Sequence, residues 1–509
     1  MRKTILLYLL FLISCERKEE KEDHISTPGI VFGEVFVSPD GDDQGDGSLD
    51  HPWQSISLAI SRLGPGAMLT ILEGTYQVVP QIKAGVKGTA DSIITVRGEP
   101  GGQVILDFNQ ANVGTSSYYP YTRGAVQIEK ASHMLFRDLK LMNSHNAGFN
   151  MVQSDHISII NCVIENTFSS GIAGWQGCTY ITVMGNTIIN ANDKDMVWGG
   201  VFTGSEPPHE ALSIAGPHYF EVAWNLIRDC QKEGIDCKET CAHGIVHHNY
   251  VHDLDRQGLY IDAWFDTLQD IEMHDNVVHD CEAGIAVSCE DGPVAKYLQI
   301  HHNLVFNNRA TGLFFSRWGE NLLREDVRVY NNTFYRNGYG GTMNSDPDYW
   351  LTGGMYLFST NLRDIIIRNN ILSRNKPFEL GRSGDYQEND LAVKNIIIDY
   401  NLINDVNTVS NPFYMATWTK DWVYSITGNS AVAADPLFAD AAAGDFRLES
   451  TSPAINAGNP GTEYNDPDGT RNDIGAFSAS YKGDYFWWKN EFPPVIDDIA
   501  SWAESDYYK

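Results

Sequence analysis

Between Asn161 and Asn401 one short phrase recurs about nine times. It is an Asn beside a pair of apolar residues, then a few polar residues, then Gly and an alternating apolar strand. The clearest copies are HHNYVHDLDRQGLYIDAW (247–264), HDNVVHDCEAGIAVSCE (274–290) and HHNLVFNNRATGLFFSRWG (301–319). The Asn anchors stand at 161, 186, 225, 249, 276, 303, 332, 370 and 401. Most intervals are 24 to 31 residues, and two stretch to 38 and 39, which marks loops inserted into a coil. A repeat of that length, built from short β-type runs without helical periodicity, predicts a solenoid of stacked β-coils.

One such array absorbs most of a 509-residue chain. The 12 Trp, 24 Tyr and 22 Phe, with Gly plentiful at turns, fit an all-β protein with much aromatic surface. A formal net charge of −30 argues against nucleic acid and anionic membrane surfaces as partners. It also weighs against a polyanionic substrate unless basic residues cluster locally; as a plain solubility device it needs no partner.

The first residues read as an address. MRK is a basic segment, TILLYLLFLIS is apolar but too short for a stable membrane span, and Leu12-Ile13-Ser14-Cys15 resembles a bacterial lipobox. That resemblance implies cleavage after residue 14, a lipid on Cys15, a charged tether over 16–33 and a body tied to the bacterial envelope. The membrane is then touched only through that lipid. Of the remaining cysteines, Cys162, Cys178, Cys230, Cys281 and Cys289 read as buried thiols in the solenoid core, as do Cys237 and Cys241. A metal pair at Cys237 and Cys241 lacks a second CxxC.

Residues 34–38 (EVFVS) read as a strand, Trp53–Leu63 as an amphipathic helix capping an open sheet end, and MLTILEGTY (68–76) as the next strand. The opening VSPDGDDQGDGSLDHPWQSI…ILEGTY resembles the start of secreted, pectate-lyase-like right-handed parallel β-helix proteins. DPLFADAAAGDFRLESTSPAINAG…NDIGAFS (435–478) resembles their usual end. The resemblance implies an all-β, single-stranded right-handed parallel β-helix over 34–480, acting on carbohydrate. Residues 481–509 are left as a cap or a lid. The molecule is expected to be a monomer.

Strand side chains alternate, so the residue after each coil Gly points inward and the next outward. First outward positions are then Asn150, Ala173, Phe202, Asp236, Tyr260, Ala286, Phe314 and Tyr356. Second positions are Val152, Trp175, Gly204, Lys238, Asp262, Ser288, Ser316 and Phe358, and third positions include Trp264, Glu290 and Trp318. Coils stack about 4.8 Å apart, so these residues share one face. Asp236, Lys238, Tyr260, Asp262 and Glu290, framed by Trp175, Trp264, Phe314 and Trp318, are what a sugar site requires: rings to stack on a pyranose and charges to bind hydroxyls or carboxylates. The inserts at 192–212 and 336–354 are natural walls for a groove. Lys238 and Asp262 also read as a plain surface ion pair, worth under about 1 kcal/mol. His247, His248, His274, His301 and His302 recur beside the Asn anchors and read as ladder residues, whereas His145 and His209 stand outside that pattern and are candidates for substrate contact.

Two reactions fit. In β-elimination from a uronate, Lys238 with a lowered pKa is the base and Tyr260 the acid, while Arg317, Asn150 or His209 holds the carboxylate. The leaving group is a sugar, or water in an oligosaccharide dehydratase, and the substrate is an acidic polysaccharide or oligosaccharide. GIDCK (234–238) loosely resembles a strand of β-helix pectate lyases, but DRQGLYID (255–262) lacks the paired Asp residues with which that group binds calcium. In glycoside hydrolysis, Asp236 and Asp262 lie diagonally on neighbouring coils, roughly 7–8 Å apart, within the inverting range of about 6.5–9.5 Å. Asp255 and Asp262 form a second pair. A third reading is a glycan-binding envelope protein without catalysis. No cofactor is expected; calcium would suit the Asp-rich loops 38–47 and 465–473, which also read as hydrated turns.

Overall fold

The computed structural model describes residues 29–113, 123–200, 202–204, 206–339, 353–376, 378–387, 389–404, 433–478 and 485–505. Cys15 and the signal segment lie outside them, as does most of the tether. The tether's last residues join the body: Val31 N–H donates to Arg62 O and Val31 O accepts from Gly64 N–H, each at 2.8 Å.

Among the described residues, three parallel sheets of 13, 12 and 11 strands run along one coil axis. Each full coil gives one strand to each sheet. Ala242–His247 lies in the 13-stranded sheet, Tyr250–His252 in the 12-stranded sheet and Gln257–Ala263 in the 11-stranded sheet. The repeat therefore builds the parallel β-helix of about twelve turns that its period predicts. Inward aliphatic residues and the seven described cysteines, all buried and free, fill the core.

The Asn anchors explain the period. The residue before each anchor from Asn186 to Asn401 holds a left-handed turn, as at Trp224 (φ 58°), His248 (φ 50°) and His302 (φ 52°), while Asn161 holds the turn itself (φ 52°). The buried Asn then ties coil to coil. Asn249 Nδ2 donates to Val222 O at 2.9 Å and to Asn276 Oδ1 at 3.0 Å. Its Oδ1 accepts from Asn225 N–H and Nδ2 at 3.0 and 2.9 Å. This ladder runs from Asn186 to Asn401. Asn161 is not a rung: Cys162 N–H caps Asn186 Oδ1, and Asn161 turns outward to bind the backbone of Ile496. A second ladder at the next corner, Asn308–Asn337–Asn375, was not foreseen. Beside the first ladder the rings of His247, His274 and His301 stack 5.2 and 5.0 Å apart, as ladder residues should.

Replacing Asn276 by Leu leaves the Asn249 N–H without its acceptor and removes the side-chain bonds to Val246 O and Asn303 Oδ1 that tie three coils together. Each such orphan costs about 1–3 kcal/mol. We expect the Asn276→Leu variant to unfold at markedly lower urea, read by circular dichroism.

The capping helix forms but is shorter than predicted, Ile56–Ser61, with Ser55 Oγ accepting from Leu58 N–H and Trp53 buried beneath the first coil. The stretch 68–76 is two strands, Met68–Ile71 and Gly74–Gln77, in different sheets, because the chain turns a corner at Glu73. The last described coil strand is Leu402–Asn404, residues 405–432 fall outside the described ones, and 438–448 forms an antiparallel hairpin against the flank.

Residues 485–505 brace the side of the helix. Trp487 meets Trp224 and His248, Trp488 meets Tyr250, and Glu504 sits 3.3 Å from His274. These partners belong to the 13- and 12-stranded sheets and the corner between them, and that is where the described tail packs.

Candidate active site

The outward face of the 11-stranded sheet carries one column of residues in strict register. Asn150, Ala173, Ser213, Asp236, Tyr260, Ala286, Phe314 and Tyr356 are successive partners. Beside it run Trp175, Ala215, Lys238, Asp262 and Ser288. Phe202 and Gly204, expected in these rows, lie in the inserted loop; Ser213 and Ala215 take their places on the strand Leu212–Ala215. The glycine column explains the error. A Cβ on Gly234 would sit 2.4 Å from Gly258 O, so most coils carry Gly there. This coil carries Ala211, and the glycines at 199–200 mimic the missing signal.

Ending the loop at Ala211 brings in a residue the sequence reading left in a wall. Glu210 is buried, and its two carboxylate oxygens each lie 2.8 Å from Lys238 Nζ. Glu210 Oε2 also accepts from Ser213 Oγ at 2.7 Å. Burial alone would raise this carboxyl, but the charges on Lys238, Lys232 and His209 outweigh it and take it down to about 2. Burial likewise opposes the Lys238 ammonium, yet the Glu210 carboxylate bonded to it holds its pKa above the ordinary lysine value. Lys238 is therefore a protonated ammonium, contrary to the lowered pKa that a base requires. Its ion partner is Glu210, not Asp262.

The neighbouring acids behave oppositely. Asp236, Tyr260 and Asp262 are 1%, 5% and 5% exposed. Burial, then the charge on Glu210, pushes Asp236 well up; burial, then Glu290, does the same to Asp262. Asp236 Oδ1 and Asp262 Oδ1 have no hydrogen-bond partner among the described residues. The pKa of both carboxyls is thus pushed upward, because a buried charge without a partner is costly. Burial also takes Glu239 up to about 7.

Tyr260 Oη donates to Glu290 Oε1 at 2.5 Å and contacts Ser288 Oγ at 3.0 Å. Burial raises both the phenol and the Glu290 carboxyl. The rim is aromatic and more open. Trp264 Nε1 donates to Asp262 Oδ2, and Trp318 packs edge-on against Tyr260 and Phe314. The arrangement joins one ammonium, two buried carboxyls of raised pKa and a hydrogen-bonded phenol–carboxyl pair in one cluster on the sheet face.

Other predicted site residues lie elsewhere. Asn150 is fully buried: its Nδ2 donates to Gln127 and its Oδ1 accepts from Trp175 Nε1. Trp175 is buried too, with the His209 ring 4.7 Å away edge-on; His209 precedes Glu210, whose carboxyl its charge helps to lower, and lies two coils from Asp262. His145 binds the backbone carbonyls of Met196 and Asn109, a structural role. Arg317 pairs with Asp385 and lies over Phe358, so a carboxylate already holds it. Residues 340–352, most of the second proposed wall, fall outside the described residues.

Among the described residues, the two triads of metal-ligating side chains that converge lie away from this recess, at His133–Asp155–His156 and His247–His274–Glu504. Asp42, Asp43 and Asp46 cap backbone N–H groups of their own loop and of residues 54–55 rather than facing one point. Cys237 and Cys241 are buried in the core, where burial raises the Cys241 thiol.

Comparison with known proteins adds the hand of the coil. Residues 35–204 match a family model described as a Pel9A-like, right-handed β-helix region, and residues 124–334 match one described as a right-handed β-helix region. The chain is a right-handed parallel β-helix. It is 25% identical over 470 residues to the uncharacterized protein YwoF of Bacillus subtilis, covering 82% of this chain and 92% of that one. It is 33% identical over 121 residues to the pectate lyase PEL9 of Emericella nidulans, covering 23% of this chain and 29% of that one. The crystal structure of pectate lyase Pel9A superposes with a TM-score of 0.45 at 16% identity, over 89% of this chain and 98% of that one.

Proposed function

We propose that this protein is a carbon–oxygen lyase that performs β-elimination on a uronate of an acidic polysaccharide or its oligosaccharides. The observation that carries this reading is the grouping, on one sheet face, of Lys238 with its ion partner Glu210, the buried Asp236 and Asp262, and the Tyr260–Glu290 hydrogen bond. The partial similarity to a pectate lyase supports it.

Elimination removes the proton on the carbon beside the carboxylate, moves that electron pair into a new C=C bond and breaks the bond to the β-oxygen, which takes up a proton. The Lys238 ammonium can neutralise the sugar carboxylate, and carboxyls whose pKa is raised, Asp236 and Asp262, can donate hydrogen bonds to it as charge builds there. Lys238 serves here and not as the base. Tyr260 removes the proton as it passes its own to Glu290, whose raised carboxyl accepts protons better than an ordinary one. Asp262 or Asp236 gives its proton to the leaving oxygen. A tether on Cys15 would hold this body at the bacterial envelope.

Hydrolysis is the second reading. Asp236 and Asp262 sit diagonally on neighbouring coils, and their raised carboxyls suit a general acid. Incubation with oligogalacturonate, oligomannuronate and glucuronate-bearing xylan fragments separates the two. The lyase yields ultraviolet absorbance from an unsaturated product. New reducing ends without that absorbance would mean a hydrolase, and binding without either product a glycan receptor.

A further inference from the structure

The recess is not the whole of what the 11-stranded sheet offers. Four coil steps toward the N-terminus, from Asp236 through Ser213, Ala173 and Asn150 to Gln127, the same sheet bears a second concavity of about 360 Å³. At about 4.8 Å per step it lies roughly 19 Å from the recess. Lys83, Arg123 and Lys130 line it, with Glu129 as the single acidic side chain. In a chain of net charge −30, three cations against one anion is a local reversal of sign. Among the described residues one ion contact engages them, Lys130 to Glu129 at 3.9 Å between exposed side chains, which is worth little.

A second, independent feature points at a ligand. Gln127 is 5% exposed and lines this concavity. Its Oε1 accepts from Gly124 N–H and Asn150 Nδ2, each at 3.1 Å, which fixes the orientation of the amide. Its Nε2 is buried and has no partner among the described residues. A buried donor left unmade is costly unless something from outside accepts from it.

We infer that this concavity is a distal subsite for the carboxylates of an acidic glycan chain whose reacting ring sits at Lys238, Tyr260 and Asp262. The inference rests on the uronate reading and deepens it. The substrate is a polymer or long oligomer, because only a chain of several rings spans the two sites. Lys83, Arg123 and Lys130 attract its carboxylates, and Gln127 Nε2 donates to a carboxylate or hydroxyl oxygen.

The test is charge reversal, Lys83→Glu/Arg123→Glu/Lys130→Glu, assayed on uronate oligosaccharides from di- to octasaccharide. These side chains are exposed, so an unchanged thermal midpoint is expected and checked first. In the parent enzyme KM should fall as the oligomer lengthens. In the variant that gain should vanish, with KM for the octasaccharide raised about tenfold, as three weak ion pairs of under 1 kcal/mol each imply. Calorimetric titration of the octasaccharide into a Tyr260→Phe background should show the same loss without turnover. Product formation with an octasaccharide KM unmoved by the reversal overturns the subsite and leaves the uronate reading standing. Absence of both product and binding across all acidic oligomers overturns that reading, and the subsite with it.

Discussion

The Lys238→Ala variant is expected to lose more than a thousandfold in kcat/KM on its uronate substrate and to be less stable. Both effects have one cause. The ammonium is the only cation bonded to Glu210 among the described residues, and it is the charge proposed to meet the sugar carboxylate. Without it, a buried carboxylate loses its ion partner, a change that costs about 3–5 kcal/mol. The pH dependence gives the same link a signature. Glu210 titrates at about 2 in the folded chain against an ordinary 4.5. A depressed carboxyl stabilises the fold above its unfolded pKa, by roughly 3 kcal/mol here, and that contribution disappears as pH falls from about 4.5 to about 2. In Lys238→Ala burial acts on Glu210 with its main opposing charge gone, so this part of the acid limb should flatten. The double variant Lys238→Ala/Glu210→Gln should recover much of the stability and none of the activity. Thermal midpoints from pH 2 to 7, with turnover on the same samples, check all three statements.

Tyr260→Phe should lower kcat by about 10²–10⁴, the usual range for losing a proton-transfer group. The ring keeps its packing against Trp318, and only the hydroxyl that joins Ser288 and Glu290 is lost, so stability should change by no more than about 1–2 kcal/mol. A large kinetic loss with a small structural one separates a chemical role from a scaffolding role. Activity of the parent should also decline as pH rises through the elevated range of Asp236 and Asp262, because their ionised forms cannot donate to the sugar.

The fold was legible because the constraints that make it are local. A left-handed turn, a buried Asn and a Gly that admits its neighbour's backbone recur in most coils, and their spacing fixes the register. That register put Asp236, Lys238, Tyr260 and Asp262 on one face without a structure. It failed where a local signal was replaced: Ala211 stands in the glycine column and Cys162 in the Asn ladder, and the first of these hid Glu210. The ALSIAG stretch (211–216), with Ser213 between apolar residues, was the available clue. Protonation states were not legible at all. The pKa of Lys238 is decided by a carboxylate 28 residues away, and those of Asp236 and Asp262 by burial, which no spacing reports. The tail was ambiguous for a similar reason, since its aromatic residues suit any groove and only the packed chain puts them against Trp224 and Tyr250.

A crystal structure of the Tyr260→Phe variant soaked with a uronate oligosaccharide bears most directly on the account. The expected result is a sugar ring between Trp264 and Trp318, its carboxylate within hydrogen-bond distance of Lys238 Nζ and its reacting carbon facing position 260. A saccharide bound on another sheet, or one in this recess with its carboxylate turned away from Lys238, would contradict the assignment.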